Sequence, residues 1–482
     1  VIVTLGIKPS YPETGYGYIE YFKNKKSKKV EEDNEECKIY KVKSFREKPN
    51  REIAEKYIEQ GNYLWNSGMF VWKTEFILNE IKKYMDSHKE VLEKILKTGK
   101  FIGDYSGDNI IGMHNDKLTI SIEPGAQFEI SISREASIKE LINTYHEALS
   151  IIKPILSEMN LSLMLLGIDP ENKVDDIPLI PKDRYKIMNE YLYKKGELSR
   201  SMMRQTCSLQ VSCDFENEND FRRKYQVLTA LSPVLYTLFD NSSYHNGEHV
   251  PHYNMRQTIW NNTDPDRCGI VSGVFSKDFG YETYAKWLLN IPILFIPVGD
   301  IIEEVGEETL SEALSKAESY DEAMNLIRHA ISIVFPDIRV KNYLEIRQMD
   351  SVPEKYAFAA AALLKGVLYS EEALDELSEY FSEAVESMVV RGKNSGHDNG
   401  IQGYYFSDYF ARWGLRLIEL AKKGLSITGD FQKIQRELWD NDEIFALQNM
   451  RVGYAGDALY AFTNFFADFI FPNKSSKTLW FK

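Results

Sequence analysis

The chain has 482 residues, of which 43% are hydrophobic and 27% are charged. This composition is typical of a globular protein with a sizeable core, and the length suits two or three domains. The formal net charge of −14 argues against a nucleic-acid partner, because nucleic-acid binders present a basic face.

The cysteines and the apolar runs indicate a cytoplasmic protein without a membrane segment. The four cysteines match no zinc-binding spacing and are too few for a disulfide scaffold, so we predict reduced thiols. No apolar run approaches the ~20 residues that cross a bilayer. The apolar start, VIVTLGIKP, lacks the basic region of a signal peptide. Because it has the pattern of a strand and no methionine, we expect a fragment.

The first zone, residues 1–98, has the pattern of a partial α/β layer. It contains a strand, a loop rich in glycine, proline and tyrosine, and a helix from Glu52. A second apolar run extends from Leu64 to Trp72. A helical pattern closes the zone, with an apolar face formed by Ile77, Ile81, Met85 and Val91.

A second domain is predicted over residues 109–425, after a junction at residues 99–108 that is rich in glycine, aspartate and serine. Alternation of apolar and polar residues predicts strands at Leu118–Glu123 and Phe128–Ser133. The remaining residues, 426–482, form a tail of unknown role that is rich in aromatic side chains.

Two helices are predicted beside these strands. The first begins at Ser137, where Glu140 completes a capping box, and it ends before Pro154. The second spans Asp457–Phe469 in the tail and is too apolar to be fully solvated. We therefore expect the tail helix to pack against another part of the protein.

The stretch Ile122–Ser133, IEPGAQFEISIS, combines a tight turn with an alternating strand. The turn separates Glu123 from a strand whose polar face carries Gln127 and Glu129. A solvated strand face is the ordinary interpretation of such a pattern. The alternative is a site lined by two carboxylates and an amide.

The stretch Thr206–Asp214, TCSLQVSCD, alternates in the same way. Thr206 and Gln210 would lie on a polar face, which is again most simply a sheet surface. Cys207 and Cys213 would lie in the core, since free cysteine is among the most buried residue types.

The stretch Arg339–Arg347, RVKNYLEIR, has an unusually cationic face if it forms one strand. A solvated face remains an alternative. Cations at this density suit a polyphosphate, because arginine forks match phosphate oxygens and Lys341 adds a point charge. Glu345, kept ionised by these cations, would suit a Mg²⁺ ion that bridges phosphates.

Two further arginines, Arg256 and Arg267, flank a stretch with loop-forming residues in MRQTIWNNTDPDRCG. Arginines beside a loop are surface charges in most proteins. Here the pair would also suit the α-carboxylate of a small substrate.

Six stretches, in order, resemble motifs of the glutamate–cysteine ligase family, among the carboxylate–amine ligases related to glutamine synthetase. They are EPGAQFEIS, IPKDRYKIMNEY, MMRQTCSLQVSCDF, FDNSS, MRQTIWNNTDPDRCG and FPDIRVKNYLEIRQMD. The resemblance covers residues 105–425 and implies an α+β fold with a curved, mainly antiparallel sheet. We expect the three polar-faced strands to be neighbours in this sheet, with Glu123, Glu129, Gln210 and Glu345 pointing into one cavity. The resemblance implies ATP-dependent joining of the glutamate γ-carboxylate to cysteine through a γ-glutamyl phosphate, the first step of glutathione biosynthesis.

The same resemblance assigns roles to individual residues. It implies Mg²⁺ as the cofactor, with the metal ligands Glu123, Glu129 and Glu345. It implies ATP, glutamate and cysteine as small-molecule partners, with catalytic contacts from Arg347, Lys341 and Gln210. The substrate-binding residues that it implies are Arg256, Trp260, Arg267, Gln127 and Thr206.

The sequence departs from this family in one respect. Family members carry an upstream strand with paired glutamates, E-x-E, that completes the metal site, and no such pair stands just before Tyr105. We therefore expect impaired ligase activity. A non-catalytic protein that retains affinity for glutamate or ATP is the alternative.

Three stretches of the first zone resemble the mannose-1-phosphate guanylyltransferase family: GIKPSYPETGYGYIE, FREKPN and LWNSGMFVWK. A glycine-rich hairpin beside a buried strand is the simpler interpretation of each stretch alone. The resemblance implies sugar-phosphate binding by Gly17, Glu47, Lys48 and Asn66. The family's glycine-rich nucleotide-binding loop is missing, so GDP-mannose synthesis is only the alternative function. Two incomplete catalytic sets indicate a rearrangement or a gene-assembly artefact.

Overall fold

The computed structural model describes residues 3–22, 40–46, 49–71, 88–107, 109–298, 301–428 and 477–480. Its mixture of helices and strands confirms the predicted α+β class. The chain divides into two compact units, Val1–Asp86 and Ser87–Lys482. Each unit has its own buried core and is described by itself.

The first unit is a four-stranded antiparallel sheet with one described helix. Its elements are β1 (Val3–Ile7), β2 (Tyr18–Tyr21), β3 (Val42–Arg46), α1 (Arg51–Gln60) and β4 (Tyr63–Val71). The strand order is β1-β4-β2-β3. The helix α1 begins next to the predicted Glu52, because the Asn50 side chain caps its first turn, and it ends at Gly61 in the left-handed region.

The second unit contains the remaining described elements. Its first seven strands are β5 (Ile102–Ser106), β6 (Asn109–His114), β7 (Leu118–Ile122), β8 (Phe128–Ile132), β9 (Leu161–Met164), β10 (Val211–Cys213) and β11 (Tyr244–His245). The next seven are β12 (Glu248–His249), β13 (Cys268–Gly269), β14 (Pro292–Val298), β15 (Ile301–Thr309), β16 (Phe335–Pro336), β17 (Ile338–Val340) and β18 (Leu344–Ile346). The last three are β19 (Tyr404–Tyr405), β20 (Asp408–Tyr409) and β21 (Lys477–Trp480).

The second unit also contains α-helices. In the first half they are α2 (88–96), α3 (Ile138–Glu158), α4 (Asp183–Lys195), α5 (Ser199–Gln205), α6 (Glu218–Leu238), α7 (Met255–Asn261) and α8 (Tyr281–Leu289). In the second half they are α9 (Leu310–Lys316), α10 (Tyr320–Ser332), α11 (Glu354–Leu368), α12 (Glu371–Tyr380), α13 (Glu386–Asn399) and α14 (Phe410–Thr428).

A four-stranded antiparallel sheet, in the order β5-β6-β7-β8, packs against α2 and α3. The strands β7 and β8 confirm the two predicted from alternation. The strand β5 lies within the residues expected to form a junction. The apolar face predicted for the last helix of the first zone lies mostly outside the described residues, although Val91 is buried on α2.

The helix α3 begins as predicted and ends later than predicted. Ser137 and Glu140 form the expected capping box. The predicted stop at Pro154 is wrong, because the helix continues to Glu158. A proline inside a helix removes one intrahelical hydrogen bond and crowds the carbonyl four residues before it. The buried Ile152 and Leu156 on either side nevertheless hold the helix against the sheet.

A three-stranded antiparallel sheet, in the order β10-β18-β17, carries the cationic stretch. The prediction of one strand over Arg339–Arg347 is wrong, because the chain reverses at residues 341–343 and forms a hairpin. The prediction that this stretch and the strand of Glu129 are neighbours in one sheet is also wrong. The strand of Glu129 belongs to the four-stranded sheet.

The larger cores of the second unit are formed mainly by helices. The helix α6 is buried along most of its length and packs with α11, α12 and α14. The tail helix predicted at Asp457–Phe469 lies outside the described residues, whereas β21 pairs in parallel with β9. Among the described residues, no helix is long and apolar enough to cross a membrane.

Candidate active site

The hairpin of β17 and β18 brings charged side chains together by its register. Arg339 stands opposite Glu345, which stands opposite Ser212 on β10. Residues directly opposite on neighbouring strands point to the same face. The shared face predicted from alternation along one strand is therefore produced by pairing across a hairpin.

Glu345 is the centre of a cationic cluster formed by Arg339, Lys341 and Arg347. Its Oε2 accepts hydrogen bonds from Arg339 Nε at 2.7 Å and Arg347 Nη1 at 2.8 Å. Its Oε1 accepts a hydrogen bond from Lys341 Nζ at 3.0 Å. One carboxylate thus holds three cations, and the cluster retains an excess of positive charge.

The charge state of Glu345 follows from this environment. Burial favours the neutral acid, but Arg347, Arg339 and Lys341 outweigh burial and lower the pKa of Glu345 to about 2. The carboxylate is therefore ionised at neutral pH. Because both of its oxygens already accept bonds from cations, a divalent metal would have to displace one of them.

Arg347 joins this cluster to a small cavity. Its guanidinium lies 5.4 Å from the Trp260 ring centre and 5.7 Å from that of Phe335. All three residues line the cavity together with Tyr236 and Asp337. The cavity has room for little more than a water molecule in this conformation.

Trp260 offers an unused donor beside this cavity. Its side chain is 7% exposed, and its Nε1 is buried without a hydrogen-bond partner in the described part of the chain. A buried polar group without a partner costs free energy, and a ligand atom or a water can satisfy it. A carboxylate oxygen would satisfy this donor.

One charged residue that lines this cavity, Asp337, and its partner Lys393 were not predicted from the sequence patterns. Asp337 accepts a hydrogen bond from the Tyr236 hydroxyl at 3.1 Å and forms an ion pair with Lys393 of α13. Asp337 and Lys393 are each 5% exposed as side chains. Asp337 lies within the motif FPDIRVKNYLEIRQMD, so the sequence could have indicated it as a site residue. Lys393 lies on a helix that contains none of the family motifs.

The two arginines predicted to grip a carboxylate are buried, and most of their donors are used within the protein. Among the described residues, Arg256 Nε has no hydrogen-bond partner. Arg256 donates to the backbone oxygens of Gln348 and Arg347, each at 3.0 Å. Arg267 donates to Asp264 at 2.6 Å and to two further backbone oxygens. Binding of glutamate by these arginines stays a prediction. Their geometry favours a positioning role, in which Arg256 fixes the backbone of Arg347.

The predicted loop between these arginines is in part a helix, α7, which carries Arg256 and Trp260. Turn residues follow it from Asn262, as the sequence indicates. Burial of Ile259 and Trp260 outweighs the weak helix propensity of asparagine and threonine.

The turn after β7 is tight, as predicted. Glu123 donates its backbone N–H to the Gln127 oxygen at 2.9 Å. The Gln127 side chain, 1% exposed, donates to the backbone oxygens of Met203 and Thr206. The Thr206 hydroxyl donates to the backbone oxygen of Met202 at 2.6 Å. Gln127 and Thr206 are thus occupied in joining the turn to the end of α5.

Glu123 and Glu129 lie at the two ends of this turn, both half-buried. Glu129 Oε1 accepts a hydrogen bond from the Ser131 hydroxyl at 3.1 Å. Burial, Glu123 and Glu129 all raise the pKa of Tyr185 on α4, while Arg184 lowers it. Both carboxylates therefore act electrostatically on the same tyrosine.

A third acidic residue shares the sheet face of Glu129. Asp104 stands opposite Gly112, Gly112 opposite Ser121, and Ser121 opposite Glu129. The side chains of one cross-strand row point to the same face of the sheet. In this row, Gly112 and Ser121 lie between Asp104 and Glu129. Asp104 lies in the predicted junction, and therefore alternation did not single it out.

Gln210 lies just before β10 and donates to the Ser208 hydroxyl at 3.3 Å. The alternation predicted for its stretch is only partly present, since Val211–Cys213 alone forms a strand. Cys207 and Cys213 are buried as predicted, and burial raises the pKa of Cys213 to about 12. A catalytic role for Gln210 stays a prediction.

Of the sugar-binding residues predicted in the first unit, two are described. Asn66 on β4 donates its backbone N–H to the Gly17 oxygen at 2.7 Å. These two residues are therefore adjacent, as a shared site would require. Glu47 and Lys48 lie outside the described residues.

Comparison with known families gives two matches along the chain. A model of Glutamate-cysteine ligase family 2 (GCS2) matches residues 79–394. A Nucleotidyl transferase model matches residues 1–120. The first match covers more than half of the chain and includes every residue of the cationic cluster.

Individual relatives agree with the larger match. A protein of Medicago truncatula named "Glutamate--cysteine ligase, chloroplastic" is 30% identical over 371 residues, which are 76% of this chain and 73% of the relative. A protein of Nicotiana tabacum with the same name is 32% identical, over 67% of this chain and 63% of the relative. A Thermus thermophilus structure described as mannose-1-phosphate geranyltransferase is 32% identical over 20% of this chain and 25% of that one, with a TM-score of 0.14.

Proposed function

Because the chain belongs to glutamate–cysteine ligase family 2, we propose that it joins the γ-carboxylate of glutamate to the amine of cysteine with conversion of ATP to ADP. This proposal rests on the family match together with the position of Arg347. This one side chain faces both a cationic cluster and a cavity with an unused donor. The cluster suits phosphate, and the unused Trp260 donor suits a carboxylate oxygen.

The chemistry requires activation of a poor electrophile. A γ-carboxylate oxygen of glutamate attacks the γ-phosphorus of ATP, and ADP leaves. The cysteine amine then attacks the acyl carbon of γ-glutamyl phosphate and loses a proton, and inorganic phosphate leaves. In both steps negative charge develops on phosphoryl oxygens, so fixed cations stabilise both transition states.

The cationic cluster would supply those fixed cations. Arg347 and Lys341 would donate to the γ-phosphate, and Glu345 holds both cations in place. Glu345 thereby prevents mutual repulsion from spreading the cations apart. Arg256 fixes the backbone that carries Arg347. The Trp260 indole N–H would donate a hydrogen bond to a carboxylate of glutamate.

Mg²⁺ would lie on the other sheet in this proposal. The half-buried Glu123 and Glu129 supply oxygen ligands, which Mg²⁺ prefers together with phosphate oxygens. Glu345 fits a metal poorly, since its two oxygens accept bonds from three cations. When bound, Mg²⁺ would neutralise phosphate charge. The protein's own part is to orient glutamate and ATP and to exclude water.

The decisive experiment measures ADP release by the purified chain with ATP, glutamate and cysteine, omitting each in turn. We expect release only with all three, and γ-glutamylcysteine as the product in mass spectrometry. Arg347→Lys should lower turnover by about 100-fold, because a lysine lacks the fork that reaches both Glu345 and a phosphate. Arg412→Lys, at an exposed ion pair, is the matched control. Binding of ATP without any turnover would support the non-catalytic alternative instead.

A second candidate function concerns the first unit. The match to a nucleotidyl transferase model and the contact of Asn66 with Gly17 favour a sugar-phosphate site there. The test is formation of GDP-mannose from GTP and mannose 1-phosphate. Absence of product, together with no protection of this unit by mannose 1-phosphate against proteolysis, would remove this candidate.

A further inference from the structure

Two histidines and an aspartate come together at the end of α13. They are His252, His397 and Asp398, and their candidate ligand atoms all lie within 4.8 Å of one another. The imidazole rings of the two histidines stack with centres 4.6 Å apart. Asp398 Oδ1 lies 2.9 Å from His397 Nδ1. The three side chains are close enough to ligate one metal ion after small rotations about their side-chain bonds.

The backbone holds the two sides of this cluster together. Tyr253, next to His252, donates its backbone N–H to the His397 oxygen at 3.0 Å. The Tyr253 ring also packs against Gly400, where an added Cβ would lie only 2.9 Å from it. The approach of the histidines is therefore fixed by main-chain contacts, and long mobile side chains play no part in it.

We propose that His252, His397 and Asp398 form a binding site for one divalent transition-metal ion. Imidazole nitrogens with a carboxylate oxygen suit Zn²⁺, Co²⁺ or Ni²⁺, whereas Mg²⁺ and Ca²⁺ prefer oxygen ligands alone. Three protein ligands leave at least one position for water. The exposed His252 and Asp398 and the half-buried His397 give an ion direct access.

The ion would connect two segments that reach the candidate active site. His252 lies just before α7, which carries Trp260, and His397 lies on α13, which carries Lys393. A metal that binds only the folded site stabilises the folded state by mass action. The proposal is independent of the ligase reaction, because it uses other residues and another class of metal.

Direct binding tests the site, with untagged protein so that no added histidines compete. We expect one Co²⁺ per chain, with d–d absorption typical of mixed nitrogen and oxygen ligands, and displacement by Zn²⁺ but not by excess Mg²⁺. His252→Ala and Asp398→Asn should each weaken Zn²⁺ binding by at least about tenfold, since even outer partners of a metal contribute that much. His249→Ala is the matched control, because His249 is an exposed histidine of the same segment.

Thermal unfolding provides a second readout that does not depend on activity. Zn²⁺ should raise the melting temperature of the wild-type chain and of His249→Ala, and should leave that of His252→Ala unchanged. The exposed position of His252 keeps this variant folded. Absence of Zn²⁺ binding by the wild type would overturn the proposal. So would binding that persists undiminished in both His252→Ala and Asp398→Asn, because the ion would then lie elsewhere.

Discussion

At the scale of single residues, Glu345 shows how one buried carboxylate organises a cationic site. The Glu345 side chain is 6% exposed and contacts three cations. Removing one partner of a buried ion pair is costly, because the remaining charges stay buried without compensation. A role as organiser and a role as metal ligand therefore predict different results for the same substitution.

We expect Glu345→Gln to lower the free energy of unfolding by about 3–5 kcal/mol and to leave the Mg²⁺ dependence of ATP binding unchanged. Because the folded pKa of about 2 is below the ordinary value of 4.5, this stabilisation is present above pH 4.5 and is lost as pH falls toward 2. Denaturant unfolding and titration with ATP, each with and without Mg²⁺, separate the two roles. Glu376→Gln, at an exposed pair with Arg416, is the control. Loss of ATP affinity only when Mg²⁺ is present would make Glu345 a metal ligand.

Asp240, in the FDNSS motif, should give the opposite dependence of folding stability on pH. Burial, and then Asp350, raise the pKa of Asp240 to about 7, while its bond from the Asn254 N–H opposes this. A carboxyl with a raised folded pKa stabilises the protein below its unfolded pKa, and that stability is lost as pH rises toward 7. Asp240→Asn should remove this loss, so the variant should be more stable than wild type at pH 8 and should lose this advantage toward pH 4. Equal pH dependence of unfolding for variant and wild type between pH 4 and 8 would contradict the argument.

The sequence indicated some residues of the candidate site and not others. The difference lies in how far apart in the sequence the interacting residues stand. Glu345 and Arg347 were found because a two-residue period survives the reversal of a hairpin. Asp337 and Lys393 were missed because their pairing joins a strand to a distant helix. Such a pair produces no regular spacing that could be recognised in the sequence.

At the scale of elements, local signals predicted beginnings better than ends. The capping box at Ser137 is a contact over three residues, and the structure contains it. The end of α3 depends on packing against the sheet, which outweighs the missing hydrogen bond at Pro154. The helix α7 likewise extends into the first two residues of the predicted loop, since burial of Trp260 stabilises it.

Ser137→Ala tests the energetic weight of the cap of α3. The variant loses the acceptor for the Glu140 N–H, which lies 3.2 Å from the Ser137 hydroxyl. We expect unfolding to become easier by about 1 kcal/mol, seen as a lower urea midpoint. Ser150→Ala on the same helix, whose hydroxyl donates only to Glu147, should change the midpoint little. Equal effects of the two substitutions would show that the cap contributes nothing specific.

At the scale of the whole molecule, the sequence predicted two kinds of domain, but it did not predict how the strands assemble. The strands of Glu129 and Glu345 were expected in one sheet and lie in two. Strand partners are chosen by contacts far apart in sequence, and alternation specifies only which face is buried. The buried Gln127 joins the turn between β7 and β8 to the end of α5 through side-chain hydrogen bonds. No periodic pattern in the sequence encodes this arrangement.

The two units have separate cores, so we expect a core substitution in one unit to destabilise that unit only. Ile19 is 2% exposed on β2 of the first unit, and Ile120 is 0% exposed on β7 of the second. Truncation of either to alanine should cost about 2–5 kcal/mol in its own unit. Calorimetry should show Ile19→Ala lowering the transition of the first unit alone, with ADP release unchanged, because the proposed ligase residues all belong to the second. Ile120→Ala should lower the other transition and reduce ADP release at elevated temperature. A single transition shifted equally by both substitutions would mean that the units unfold as one.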